Sequence, residues 1–268
     1  MGNPANTAAG VLGFLSHPGN PRSSYAGPSP GTDFPRPAEG RPAAGHSNRG
    51  TEPCRPRERS APVSVDYRKA PEHVFPAAAD DAESVTAALL SGESGLAIDP
   101  TRVAVAGDSA GGNLAAVTAQ QLAGHVPPLA HQVLVYPVTD ARVGSTASYA
   151  EFADGHFLTQ RDMQYFVDTY AAGADLDDVR LSPARNPDLS GVAPATVITG
   201  ECDPLRDEGE AYARRLREAG VPTTAVRFSG QVHPFLYMAG LIDDAVVARE
   251  FIGSRLRSAL AVKPVPAE

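Results

Sequence analysis

Cysteine is scarce: Cys54 and Cys202 are the only two in 268 residues. Two thiols cannot build a disulfide scaffold and lack the spacing of a zinc site, so a reducing, cytoplasmic setting is expected. Long apolar runs are missing too. No stretch approaches the roughly 18 residues that suggest a membrane span, so no stable membrane insertion is expected. The short patch Val11-Leu12-Gly13-Phe14-Leu15 has neither the basic leader nor the length of a secretory signal. Positive charge is in deficit, with 23 Lys and Arg against 31 Asp and Glu and a net charge of -8. That balance gives no basic field to condense on phosphates, which argues against nucleic acid and leaves a small neutral molecule as the easier partner. No histidine and carboxylate spacing resembles a metalloprotease motif, and Gly111-Gly112 lacks the following lysine of a phosphate loop. Neither a metal nor a nucleotide cofactor is expected.

What is present suits a globular chain: 42% hydrophobic and 20% charged residues, at a length that allows one large, well-buried domain. Glycine and proline, 25 of each, exceed the usual share, and much of the excess lies before residue 63. Residues 1–60 carry turn dipeptides such as Pro18-Gly19 and Pro30-Gly31 and almost no strand-forming run. They are expected to be irregular or disordered, with the charged, proline-bearing stretch 49–59 as a solvated linker. Residues 61–268 are expected to form the folded domain.

From Ala61 the pattern changes. Val63 to Tyr67 reads as a strand, Ala77 to Leu90 as a helix, and Arg102 to Gly107 as a compact apolar strand running into a helix at Asn113 to Leu122. Further strands are expected at His131–Tyr136, Ala195–Gly200 and Thr223–Phe228, with helices at Glu208–Ala219 and Asp244–Leu260. Short buried-looking strands alternating with helices predict an α/β fold with a mostly parallel sheet covered on both faces. The rhythm breaks between about residues 140 and 190, where the amphipathic Arg161–Tyr170 segment suggests helices lying over the sheet's active edge.

The chemistry centres on Gly107-Asp108-Ser109-Ala110-Gly111. Glycine, any residue, serine, any residue, glycine between a strand and a helix is the nucleophile-elbow pattern, in which a sharp turn lifts the serine oxygen above the sheet. A serine hydroxyl needs a base to take its proton, and the base needs an acid to hold its tautomer. Asp203 follows one predicted strand and His233 another, so both fall at strand ends in the order serine, acid, histidine. Asp207 is the competing acid, although it falls in or near the following helix. His17, His46, His73, His125, His131 and His156 lack a comparable context and read as surface or loop residues. The amide of Ala110 is the oxyanion donor that the elbow itself supplies.

Three stretches together resemble the hormone-sensitive lipase family of α/β hydrolases: Asp66-Tyr67-Arg68-Lys69-Ala70-Pro71-Glu72-His73 with Phe75-Pro76-Ala77-Ala78, the elbow through Asn113-Leu114, and Asp203-Pro204-Leu205-Arg206-Asp207-Glu208-Gly209. The resemblance covers roughly residues 61–257. It implies an α/β-hydrolase fold with Ser109 as nucleophile, Asp203 as acid and His233 as base, hydrolysing short or medium acyl esters through an acyl-enzyme. It also implies that Tyr149, Glu151, Phe152, Leu158, Thr159 and Met163 belong to a cap portion, with Phe152, Leu158 and Met163 shaping the acyl pocket. It is compatible with a homodimer, which no feature of the sequence encodes.

The sequence departs from that pattern in two places. The family's histidine is commonly followed by Gly-Phe, whereas Pro234-Phe235 follow His233. The family's His-Gly-Gly-Gly oxyanion loop has no match, since in Ser16-His17-Pro18-Gly19 a proline stands where amide donors are needed. No apolar run upstream of residue 61 convincingly supplies the central strand that should lead into that loop. Val63–Asp66 is therefore expected either to pair directly with Arg102–Ala106 or to leave a gap. The family's first, N-terminal cap portion has no match either, so a partial cap and an open pocket are expected. The alternative function is a catalytically weak or inactive hydrolase frame, or a binding protein, without a complete oxyanion hole.

Overall fold

A computed structural model describes residues 60–262 in full and residues 8–14 through their backbone. Ser16-His17-Pro18-Gly19, the 49–59 stretch, His46 and any N-terminal cap portion lie outside the described residues. Among the described residues the sheet has six strands, all parallel to their neighbours: β1 (Ala8–Phe14), β2 (Ser60–Ser64), β3 (Ile98–Asp108), β4 (His131–Val135), β5 (Ala195–Cys202) and β6 (Thr223–Val232). Their order is β2-β1-β3-β4-β5-β6.

This order corrects one expectation. The strand at residues 60–64 neither pairs with β3 nor leaves a gap, because β1 lies between them: Val11 faces Pro62 on one side and Ala104 on the other. The apolar patch beginning at Val11, too short for a secretory signal, supplies most of this strand. Gly10 and Gly13 dilute the apolar signal that a strand buried among parallel neighbours normally gives. A second, smaller correction concerns β2, which begins and ends three residues before the predicted Val63–Tyr67. Pro62 within it has no N–H to donate, a defect tolerated at the edge of a sheet, where β2 lies.

Among the described residues six α-helices accompany the sheet: α1 (Ala77–Leu90), α2 (Ala110–Gln121), α3 (Ala147–Glu151), α4 (Gln160–Ala171), α5 (Arg206–Glu218) and α6 (Asp243–Ala259). Strand side chains alternate between two apolar layers. Val103, Val105, Leu134 and Val197 join Ala82 and Leu89 of α1, Leu114 and Val117 of α2, and Tyr212 and Leu216 of α5. Val133, Val135 and Ile198 turn the other way, onto Ala245 and Ala248 of α6. All five residues of β4 are buried, as a strand covered on both faces requires.

Local chemistry sets the helix ends. Thr159 and Asp162 form a reciprocal capping box at the start of α4. In α5, Asp207 and Glu208 lie in the first turn and Arg215 and Arg217 in the last, each sign at the dipole end that favours it. Helices α3 and α4 lie between β4 and β5 and carry their own apolar cluster of Tyr149, Leu158, Met163 and Val167, closed by Leu181 and Leu205. Among the described residues no helix is long and apolar enough to cross a membrane.

Candidate active site

The site begins at the junction of β3 and α2. Ser109 has φ 52° and ψ −118°, a conformation that L-residues rarely hold and that only surrounding contacts can enforce. Those contacts are visible: Ser109 N–H donates to Val135 O at 2.9 Å, and Ser109 O accepts from Asn113 N at 3.0 Å and Val138 N at 3.2 Å. The strand and helix meet so closely that a Cβ on Gly107 would lie 2.0 Å from Gly111 O. The serine oxygen is consequently held at the carboxyl end of the sheet, where ligands approach open α/β folds.

His233 and Asp203 reach the same point from the ends of neighbouring strands. His233 Nδ1 lies 2.9 Å from Asp203 Oδ2, and His233 Nε2 lies 3.1 Å from Ser109 Oγ. Asp203 is fully buried and His233 is 6% exposed, so their bond is shielded from competing water. A buried carboxylate can only accept, which places the imidazole proton on Nδ1 and leaves Nε2 to receive the proton of Ser109. The other Asp203 oxygen, Oδ1, accepts from Leu205 N at 2.9 Å, which fixes the carboxylate plane.

Asp207, the competing acid, is engaged elsewhere. Its carboxylate accepts from Ser148 N at 2.8 Å and from Arg206 Nε at 2.8 Å. Burial works against the charge, but the Arg206 guanidinium and the Ser148 amide hold its pKa below the usual carboxylate range. His131, expected from the sequence to be a surface or loop residue, is instead buried at the start of β4 against Thr196 Oγ1 at 2.9 Å, and burial pushes its pKa down to about 4. It is therefore neutral near pH 7.

Ala110 is the first residue of α2 and is exposed. Its amide is among those that a helix start leaves without an intrahelical partner, and so can face a developing oxyanion. Strand β1 ends at Phe14, level with Gly107 of the elbow.

The three expected pocket residues separate into two groups. Leu158 and Met163 sit in the apolar cluster around α4, together with Leu205, two residues past Asp203. Phe152 lies against His156 and the Arg206 guanidinium, each 5.0 Å away. A cavity of about 300 Å³ lined by Thr199, Glu210 and Arg227 shares no residue with the Ser109 constellation.

Several contacts at the site escaped sequence reasoning. The Tyr136 ring packs on His233 with centroids 4.4 Å apart, from a backbone with φ 34°, and Tyr237 OH donates to Asp108 Oδ1 at 2.8 Å. Asn113 Nδ2 donates to Val138 O at 3.0 Å and Leu181 O at 2.9 Å, tying the elbow helix to the chain entering and leaving the α3–α4 region. Only the change of pattern after β4 signalled that this loop matters. Asn113→Ala leaves one buried and one part-buried carbonyl without that donor and is expected to lower unfolding free energy by about 1–3 kcal/mol. Urea denaturation checks this, and a loss under about 1 kcal/mol would mean that the two carbonyls find other partners.

A family model described as alpha/beta hydrolase fold matches residues 57–237. The chain belongs to that family. Among relatives of this α/β hydrolase, the ethyl acetate hydrolase of Pseudomonas putida is 40% identical over 68% of the chain, and a carboxylesterase of Mycobacterium tuberculosis is 43% identical over 69%. The chain spans only 58% and 60% of the lengths of those two proteins. A thermostable esterase from Pseudomonas putida has a crystal structure that superposes with TM-score 0.71 at 41% identity, covering 75% of this chain and 65% of that one.

Proposed function

We propose that this α/β hydrolase is a serine carboxylic-ester hydrolase of the hormone-sensitive lipase branch, acting on short or medium acyl esters. The observation that carries the reading is the continuous chain of contacts from Ser109 Oγ through His233 to Asp203, at 3.1 and 2.9 Å, on a nucleophile elbow. The names of the relatives, an ethyl acetate hydrolase and carboxylesterases, support an ester as substrate.

In this mechanism Ser109 Oγ attacks the ester carbonyl while His233 Nε2 takes the hydroxyl proton. The tetrahedral oxyanion is met by the Ala110 amide. Collapse breaks the bond to the alcohol, which leaves with the proton from His233. Water then attacks the acyl-Ser109 ester, His233 takes the water's proton, and the acid departs as Ser109 recovers its hydrogen. Phe152, Leu158 and Met163 line the acyl side in this reading, and no metal or organic cofactor takes part.

The first test is hydrolysis of p-nitrophenyl acetate and butyrate by protein shown to be folded by circular dichroism, with mass analysis after treatment with a fluorophosphonate. Turnover of both esters and one phosphonyl group on Ser109 are expected. A folded sample that neither turns over nor acquires the label would overturn the esterase reading in favour of an inactive frame. Labelling without turnover would point to a serine that is activated but served by too few oxyanion donors.

A further inference from the structure

Glu208 is a charged residue type in an interior position, 3% exposed, in the first turn of α5 and outside the triad. Its Oε1 accepts from Thr139 N at 2.7 Å and from Asp140 N at 3.3 Å. Tyr149 of α3 faces the same carboxyl. One side chain of α5 thus grips the loop that follows β4.

That loop touches the reacting groups twice. Tyr136, at its start, lies against the His233 ring, and Val138 N donates to Ser109 O while Val138 O accepts from Asn113. The turn that begins α5 carries the acid: Asp203 O accepts from Arg206 N at 3.0 Å, Asp203 Oδ1 accepts from Leu205 N, and Gly209 N donates to Leu205 O at 3.1 Å. The two segments come from different strands. Glu208 joins them.

We propose that Glu208 is a positioning residue for the Ser109–His233–Asp203 constellation, pinning the loop that contacts Ser109 and His233 to the turn that carries Asp203. The proposal rests on reading those three residues as an esterase triad. Glu208 touches neither substrate nor the reacting atoms, and its effect passes through Thr139, Asp140 and the first turn of α5.

Its protonation gives the proposal a distinctive readout. Burial pushes the Glu208 pKa up to about 8, and the Asp140 charge adds to that, against the opposing pull of the Thr139 and Asp140 amides and the Tyr149 hydroxyl. The facing titratable groups are Asp140 on the loop after β4 and Tyr149 on α3. In the folded protein the carboxyl keeps its proton to about pH 8, whereas an ordinary glutamate loses it near 4.5. The folded state binds the extra proton within that window, so the associated stability is full below it, declines as pH rises and is gone above about 8. Above it, Glu208 carries a buried negative charge beside Asp140 that its two amide partners offset only in part, and this charge loads the loop and the turn that the carboxyl joins.

The test follows kcat and KM for p-nitrophenyl butyrate from pH 6 to 9.5, alongside the low-field proton resonance of the His233–Asp203 hydrogen bond. Glu208→Ala is expected to lower kcat about 10- to 100-fold with little change in KM, and to weaken the resonance, as displacement of a reacting group requires. Glu208→Gln keeps an acceptor for both amides but cannot ionise. It should restore most of that loss and abolish the decline in kcat and resonance that the wild type shows above about pH 8. A folded Glu208→Ala protein with wild-type kcat and resonance would overturn the proposal, as would a Glu208→Gln protein with the wild-type alkaline decline. Should Glu208→Ala fail to fold, the Glu208→Gln comparison decides alone. A wild type that shows the resonance but no Ser109-dependent hydrolysis refutes the esterase reading, while the resonance in the two variants still decides the role of Glu208.

Discussion

On the proposed esterase mechanism, replacing Ser109 with Ala should lower kcat for p-nitrophenyl butyrate by about 10⁶-fold, and His233→Ala by a similar factor, because each removes the same proton-coupled attack. Asp203→Asn should cost less, about 10⁴-fold. The difference follows from the geometry. Asp203 does not touch the substrate; it accepts the Nδ1 proton of His233 across 2.9 Å and so keeps Nε2 free to receive a proton from Ser109. An asparagine in its place can present an N–H to Nδ1, stabilising the tautomer in which Nε2 already carries hydrogen. Asp207→Asn provides the control, since that carboxylate holds Ser148 and Arg206, and a loss below about 10-fold is expected. Steady-state kinetics on the four purified variants checks the series. Equal losses for Asp203→Asn and Asp207→Asn would transfer the acid's role or divide it.

Much of this site was legible in the sequence because its parts are local. The elbow needs glycine on both sides of Ser109, and a strand and a helix on either flank, and all of that lies within about twenty residues. The helix Ala77–Leu90 was read to the residue, since alanine and leucine dominate it and prolines precede it. Strands β4 and β5 announced themselves as short apolar runs. Asp203 and His233 each follow such a run, and the structure brings both beside Ser109.

What the sequence hid depends on distance along the chain. β1 is separated from both of its partners by dozens of residues, and its glycines make it resemble the turn-rich residues around it. Only the pairing of Val11 with Ala104 on one side and Pro62 on the other reveals it as an interior strand. The network around Glu208 was likewise invisible. Thr139, Tyr149 and Glu208 have no shared motif, and a glutamate in the first turn of a helix reads as a dipole complement until its burial is known. The five-residue helix α3 is too short for a helical period to emerge.

Gly107→Ala should be the most destructive added methyl group among the described glycines. The added Cβ would meet Gly111 O at 2.0 Å, Gly111 C at 2.3 Å and Gly112 N at 2.8 Å, all backbone atoms. No side-chain rotation relieves that, so the first turn of α2 must retreat from β3 and carry Ser109 and the Ala110 amide with it. A loss of about 4 kcal/mol or more in unfolding free energy is expected, at the exceptional end for one substitution. Two other glycines calibrate the effect. Gly112→Ala meets Pro137 Cβ at 2.9 Å and should cost about 1–3 kcal/mol by overpacking. Gly95→Ala meets nothing within 4 Å, and only its φ of +72° is penalised, by about 1 kcal/mol. Urea titration of the three variants should reproduce that order, and a Gly107→Ala protein as stable as Gly95→Ala would show that the elbow can open without strain. Any folded Gly107→Ala fraction should still lose at least about 100-fold in kcat, since a displacement near 1 Å at a reacting atom has that cost. The glycine therefore limits both stability and chemistry through one contact, the crossing of strand and helix that holds Ser109 in its unusual backbone conformation.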